Sequence, residues 1–148
     1  MPATVTLSPE EATALLRNAG LRVTRQRVAA LQSLADHKHA TVDQIVTSLE
    51  GGLPKVSFQA VYLVVADLLR AGIITRLDLP GHPSRYELNL RDNHHHVVCT
   101  VCGRVEDVAC AVGEAPCLHP SQTHDMDIAV ADVLYRGVCR ACRENPAP

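Results

Sequence analysis

Four stretches in the first half of the chain repeat apolar residues with the spacing of an amphipathic helix. The first follows Ser8, which can cap a helix that begins at Pro9, and it stops at Gly20. Each of the other three has a capping side chain in the same place: Thr24, Thr41 and Ser57. The positions predicted to face the core are Ala12, Leu15, Leu16 and Ala19; Val28, Leu31 and Leu34; Val42, Ile45, Val46 and Leu49; and Val61, Val65 and Leu68.

A pattern typical of a β-hairpin follows the fourth helix. Extended stretches at 73–77 and 84–88 flank a loop, residues 78–83, that contains Pro80, Gly81 and Pro83. Helices followed by such a hairpin predict a winged helix-turn-helix, in which the late helix enters the major groove and basic groups contact phosphates. The helix after Ser57 is therefore the candidate recognition helix, although an ordinary surface helix would show the same periodicity.

The charges are unevenly distributed along the 148 residues, whose net charge is −2. Residues 1–85 carry 9 basic and 7 acidic residues, whereas residues 86–148 carry 5 and 9, which favours a polyanion-binding first half. Arg22, Arg25 and Arg27 are candidate phosphate contacts there, and simple solvation is the alternative. With no Trp, one Phe and three Tyr, the chain lacks a platform for stacking single-stranded bases.

The six cysteines point to metal or redox chemistry. We expect a cytoplasmic protein with no membrane partner, because no apolar run could cross a bilayer and the first residues lack a signal-peptide pattern; its thiols should stay reduced. Four of the cysteines form two Cys-x2-Cys pairs, Cys99 with Cys102 and Cys139 with Cys142. Such pairs supply the four thiolates of a closed, structural zinc site, with two redox pairs or unrelated thiols as the alternatives.

Three consecutive histidines indicate a second metal site. On a strand, His94 and His96 would point to one face and His95 to the other. With Glu87 and Asp107 nearby in sequence, they make a mixed nitrogen and oxygen ligand set that suits Fe(II), Mn(II) or Zn(II). The alternative is a solvated histidine cluster that binds no metal.

These features together resemble the ferric uptake regulator family over nearly the whole chain. The resemblance rests on six segments in order: residues 21–27 (LRVTRQR), 39–43 (HATVD), 57–62 (SFQAVY), 85–87 (RYE), 94–103 (HHHVVCTVCG) and 135–142 (YRGVCRAC). It implies an α+β protein with an N-terminal winged helix-turn-helix domain over residues 1–86 and a hinge over 87–93. A zinc-stapled α/β dimerisation domain would follow over 94–148.

The resemblance also implies roles for individual residues. Zinc would be held by Cys99, Cys102, Cys139 and Cys142. A regulatory site for Fe(II) or Mn(II), which Zn(II) could occupy in vitro, would bridge the domains through His39, Glu87, His94, His96 and Asp107. Residues Ser57, Gln59 and Tyr62 would approach double-stranded DNA. The protein would act as a homodimer on an inverted repeat, with metal binding fixing the domain angle.

The segment Asp107–Leu118, which contains Cys110 and Cys117, is similar to actinobacterial family members associated with catalase genes. That similarity implies a repressor of oxidative-stress genes that responds to peroxide by oxidation of a ligand histidine or of these cysteines. Peroxide-sensing relatives carry Asp where this chain has Glu87, which puts histidine oxidation in doubt. An iron-supply, zinc or nickel regulator is the alternative, and the two cysteines would then simply pack.

A zinc enzyme is a rival of another class. The chain has no His-Glu-x-x-His and no deaminase-type pairing of His-x-Glu with Pro-Cys-x-x-Cys, and no nucleophile or general base accompanies either metal set. We therefore expect no enzymatic activity and no small-molecule substrate.

Overall fold

The computed structural model describes residues 5–92, 94–109, 120–128 and 132–146. Its internal contacts divide the chain into two compact units, Met1–Leu90 and Arg91–Pro148. Helices dominate the first unit and a small sheet the second, which is the predicted α+β class. None of the described helices is both long and apolar enough to cross a membrane.

The first unit contains the four predicted helices, α1 (Pro9–Asn18), α2 (Arg25–Asp36), α3 (Val42–Glu50) and α4 (Phe58–Arg70). Each predicted capping side chain accepts a hydrogen bond from a backbone N–H three residues later. Ser8 and Thr41 form full capping boxes, in which the side chains of Glu11 and Gln44 accept bonds from the cap N–H groups. Gly20 and Gly72 end α1 and α4 at φ of +71°, a conformation that favours glycine.

An antiparallel hairpin of β1 (Ile74–Leu77) and β2 (Arg85–Leu88) completes the first unit. Each strand begins one residue later than predicted. The loop between them is closed by Asp78, whose carboxylate accepts hydrogen bonds from Arg76 at 2.8 Å and Ser84 at 2.6 Å. The hairpin is also attached to the segment before α3, because the N–H of Tyr86 donates to the carbonyl of Ala40 at 2.9 Å. This attachment fixes the position of neighbouring His39.

The aliphatic core of the first unit lies between its helices and the hairpin. Fully buried side chains come from every helix and include Leu16, Leu31, Ile45 and Leu68. The predicted inner face of α1 is wrong at two positions, since Leu15 is 39% exposed and Ala19 is also exposed. The helix packs against α2 along the narrow stripe of Ala12 and Leu16, so the residues beside that stripe face outward.

The second unit contains a three-stranded sheet of β3 (His94–Cys99), β4 (Val105–Ala109) and β5 (Leu134–Gly137), in the order β4-β3-β5. Strand β3 pairs antiparallel with β4 and parallel with β5. A short helix, α5 (Arg140–Glu144), follows β5. Cys110 and Cys117, the predicted redox pair, lie outside the described residues.

Candidate metal centres and DNA-binding surface

The two Cys-x2-Cys pairs meet at one end of the three-stranded sheet. Cys99 ends β3 and Cys102 lies in the turn after it, whereas Cys139 caps α5 and Cys142 lies within that helix. The parallel pairing of β3 with β5 places Gly137 opposite Cys99, and this brings the second pair beside the first. The cluster is therefore a product of sheet topology, since 36 residues separate the pairs in sequence.

The geometry of the sulfur atoms fits a tetrahedral ion. All four Sγ atoms lie within 4.8 Å of one another, and those of Cys102 and Cys139 are 3.9 Å apart. Zinc bound at about 2.3 Å from each thiolate needs sulfur atoms about 3.8 Å apart. None of the four cysteines forms a disulfide. A small contraction of the cluster would thus complete a site with four protein ligands and no open position, which is the structural type.

Backbone N–H groups favour the negatively charged thiolate form of Cys99 in this cluster. The N–H groups of Cys102 and Cys139 point at the Cys99 sulfur, the latter at 3.3 Å, and they lower the pKa of the Cys99 thiol to about 6. The opposite happens at Cys142, where hydrogen bonding with the Cys139 sulfur raises the thiol pKa to about 12. A second thiolate is costly among crowded sulfur atoms unless a cation compensates for it, so metal binding would release protons.

A second group of metal-binding side chains lies on one face of the same sheet. The rings of His94 and His96 are 4.9 Å apart by their centroids, and Asp107 on β4 lies opposite His96 in the register. The Asp107 carboxylate is 3.5 Å from Nε2 of His96 and 3.8 Å from Nε2 of His94. On the other ring nitrogen, His94 Nδ1 is 2.7 Å from the carboxylate of Asp92, which orients the imidazole. The middle histidine, His95, is buried on the opposite face.

The first unit carries a buried imidazole and carboxylate of its own. His39 Nε2 lies 3.0 Å from the Glu87 carboxylate, and both residues are buried. The backbone of His39 is in the left-handed region at φ of +58°, and its carbonyl accepts a hydrogen bond from Arg85 at 3.0 Å. Glu87 also accepts a hydrogen bond from Thr75 across the hairpin at 3.3 Å. These contacts fix the positions of both candidate metal ligands, His39 and Glu87.

Helix α4 presents the residues predicted to approach DNA. Ser57 accepts the capping hydrogen bond from Ala60 at 3.1 Å, and Ser57, Gln59 and Tyr62 are all exposed. The ring of Tyr62 is stacked at 6.4 Å on that of Phe58, one helical turn earlier. Phe58 was not among the residues predicted from the sequence to approach DNA, although its spacing of four residues from Tyr62 places both on one face.

The three predicted phosphate contacts differ in their surroundings. Arg22 and Arg25 are exposed, but the side chain of Arg27 is only 17% exposed and lies 2.6 Å from the carboxylate of Asp67 on α4. Arg27 also donates to the carbonyl of Arg22 at 2.6 Å. It therefore joins α2 to the candidate recognition helix, and we leave it out of the DNA-binding surface. This partner could not be found from the sequence, because Asp67 is 40 residues away.

Comparisons with known proteins agree with this architecture. Residues 18–132 match the ferric uptake regulator family. The transcriptional regulator FurA of Mycobacterium tuberculosis is 46% identical over 127 residues, which are 86% of each chain. The peroxide-responsive repressor PerR of Staphylococcus aureus is 33% identical over 138 residues, 92% of each chain. The solved ferric uptake regulator of Francisella tularensis with iron is 25% identical and covers 84% of this chain and 96% of its own, with a TM-score of 0.68. The chain belongs to the ferric uptake regulator family.

Proposed function

We propose that this regulator is a homodimeric, metal-dependent repressor that binds operator DNA and releases it in response to peroxide. The observation that carries the proposal is the distribution of imidazole and carboxylate donors. Two of them, His39 and Glu87, lie in the unit that contains α4, and three lie on the sheet of the second unit. The three donors of the second unit alone would leave positions open on a divalent first-row cation, as in iron sites with two histidines and one carboxylate, whereas all five donors would enclose it.

A cation that takes ligands from both groups would couple metal binding to domain arrangement. His39 and Glu87 would join His94, His96 and Asp107 around one Fe(II) or Mn(II) ion, and Zn(II) would compete for these nitrogen and oxygen donors in vitro. We expect only one domain arrangement to satisfy all five ligands, so binding would favour that arrangement over others. In a dimer it would set the two α4 helices about one turn of DNA, roughly 34 Å, apart on an inverted repeat.

The four-cysteine cluster has a separate role in this proposal. Its thiolates would hold a structural zinc ion that fastens the end of β3 to α5, and this zinc would remain bound while the regulatory metal exchanges. The sheet that carries His94, His96 and Asp107 would then keep its geometry in both states. The metal-dependent part of the regulation would come from the mixed ligand set.

The peroxide response is supported by the relationship to PerR and by the chemistry of the donors. In one route a ligand imidazole would gain one oxygen atom from peroxide, the other oxygen would leave as water, and Fe(II) held by the same ligands would catalyse this two-electron oxidation of the ring. Alternatively, Cys110 and Cys117 would together lose two electrons and two protons to peroxide, forming a disulfide and water. Catalase or other oxidative-stress genes would be the regulated targets. Either route would separate the two groups of ligands or distort the sheet, and DNA affinity would fall.

The test is anaerobic DNA binding to the promoter region of the protein's own gene, followed by fluorescence anisotropy. Zinc-loaded protein should bind tightly only with added Fe(II) or Mn(II), and a brief peroxide pulse should abolish binding of the Fe(II) form. Mass spectrometry then locates the added oxygen on a histidine or the disulfide on Cys110 and Cys117. The Mn(II) form, treated with the same pulse, separates the two routes: it should keep binding DNA if a ligand histidine is oxidised with the help of Fe(II), and lose binding if the two cysteines are oxidised directly.

Iron-supply regulation is the second candidate, and Glu87 favours it because peroxide-sensing relatives have Asp at that position. In that case binding would require Fe(II) but survive the peroxide pulse. Zinc or nickel sensing would be indicated if only Zn(II) or Ni(II), at buffered trace concentrations, restored DNA binding. Binding that is independent of every added metal would refute the proposed switch.

A further inference from the structure

The outer face of α4 is unusually apolar for a surface helix. Phe58, Tyr62 and Leu63 are 52%, 54% and 59% exposed, and they are the three most exposed large apolar side chains in the described part of the first unit. All three lie in the first two turns of one helix, whose opposite face supplies the buried side chains of Val61 and Val65. Contiguous exposed apolar side chains of this kind mark interaction surfaces.

The chemistry of this face limits which bases it can read. From residue 58 to residue 66 the helix carries no charged side chain, and Gln59 and Tyr62 supply its only side-chain hydrogen-bonding groups. Recognition of guanine in the major groove usually takes an arginine or a lysine, which these turns lack. Thymine is different, because its C5-methyl group projects into the major groove and is recognised by apolar contact.

We propose that Leu63 is a specificity-determining residue that reads thymine by packing against its C5-methyl group. Leu63 follows Gln59 by four residues, so the two side chains share one side of α4 and are about 6 Å apart along the helix axis. Glutamine can pair with the N6 and N7 edge of adenine, and stacked bases of one strand are about 3.4 Å apart. A separation of about 6 Å thus suits A·T base pairs that are one or two steps apart.

The same geometry explains why Tyr62 would not replace Leu63 in this role. Tyr62 is held against Phe58 by ring stacking, at an interplanar angle of 21°, which directs the two rings along the neighbouring side of the helix. Leu63 is more exposed than either ring. It is therefore free to enter the groove beside Gln59. This inference rests on the proposed DNA-binding function of α4, which it makes specific to one base.

The experiment replaces thymine by deoxyuridine, a change that removes only the methyl group. A duplex is first selected from a randomised pool by the full-length, metal-loaded dimer, and single thymines are then replaced in turn. Burial of one methyl group contributes about 0.8 kcal/mol, so the replacement at the contacted position should weaken binding about fourfold per half-site. Leu63→Ala should bind the thymine and deoxyuridine duplexes equally, whereas Leu63→Met should keep the preference for thymine.

Leu15→Ala is the matched control, because Leu15 is another exposed leucine of the same unit but lies on α1. That variant should retain the full thymine preference. The inference is overturned if no deoxyuridine replacement matters or if Leu63→Ala keeps the preference. It is also overturned if Leu63→Ala alters only the association state, which would make this face a protein contact. Failure to select any duplex would instead refute the DNA-binding function itself.

Discussion

Replacing Cys102 by serine removes one sulfur from the four-cysteine cluster without disturbing a buried side chain, since Cys102 is exposed. Within the described part of the second unit, Val98 and Cys99 are the only buried apolar side chains. A fully buried valine contributes about 1.5–3 kcal/mol, whereas a complete structural zinc site contributes about 10–16 kcal/mol. Whole domains have free energies of unfolding of about 5–15 kcal/mol. Loss of zinc should therefore unfold this unit.

Zinc content and thermal unfolding together test this expectation. Cys102→Ser should retain less than one zinc per chain and lose the unfolding transition of the second unit. The transition of the first unit should remain, because that unit has an aliphatic core of its own. Val101→Ala is the control, as Val101 is an exposed residue between the two cysteines of the pair. A Cys102→Ser variant that keeps a full zinc complement, or that loses zinc while both transitions persist, would contradict the expected dependence of this unit on zinc.

Two further predictions concern the first unit. Tyr62→Ala should weaken operator binding tenfold, which corresponds to about 1.4 kcal/mol for a contact in the major groove. Its zinc content and its dimer formation should stay unchanged. Tyr135→Ala is the control, because Tyr135 is an exposed tyrosine of the second unit, and it should bind the operator normally. Full affinity in Tyr62→Ala, measured by anisotropy, would move the recognition surface elsewhere. Asp67→Asn should lower the urea midpoint at neutral pH, because the hydrogen bond from Arg27 lowers the pKa of the Asp67 carboxyl below its usual 3.8 and so stabilises the folded state. This contribution to the free energy of unfolding is present at pH values above the ordinary pKa and is lost as the pH falls through the lowered pKa. The urea midpoints of the native protein and Asp67→Asn should therefore converge in acid. Arg25→Ala, which leaves the pair intact, should have a smaller effect; equal midpoints for Asp67→Asn and the native protein at neutral pH would contradict the role of the pair.

Local signals in the sequence were sufficient to predict the four helices and the hairpin of the first unit. The cap residues Thr24 and Ser57 place the starts of α2 and α4 correctly because a side-chain cap and the apolar spacing after it act within a few residues. The prediction of the inner face of α1 was correct at Ala12 and Leu16 and wrong at Leu15 and Ala19. Leu15 has the helical spacing of a core residue, but how wide a stripe is covered depends on the neighbouring helix rather than on α1 itself.

The site residues differ in how far their positions could be predicted. Alternation along a strand correctly puts His94 and His96 on one face, since that rule needs only the strand itself. The position of Asp107 beside them depends on the register of β4, which involves hydrogen bonds between two strands. The contact between Arg27 and Asp67 was not anticipated, because it forms only when α2 and α4 pack together. Pairings between distant elements are set by tertiary structure.

Equilibrium binding of Mn(II) to the zinc-loaded dimer tests most directly whether one cation takes ligands from both units. The native protein should bind one Mn(II) per chain beyond its zinc, and His39→Ala in the first unit and His96→Ala in the second should each abolish that same site. His37→Ala, an exposed histidine two residues from His39, is the control and should bind normally. Circular dichroism verifies that each variant is folded. Loss of the site in both folded variants, with loss of metal-dependent DNA binding, is the predicted result; a full equivalent of Mn(II) bound at native affinity by either variant would contradict the bridging site.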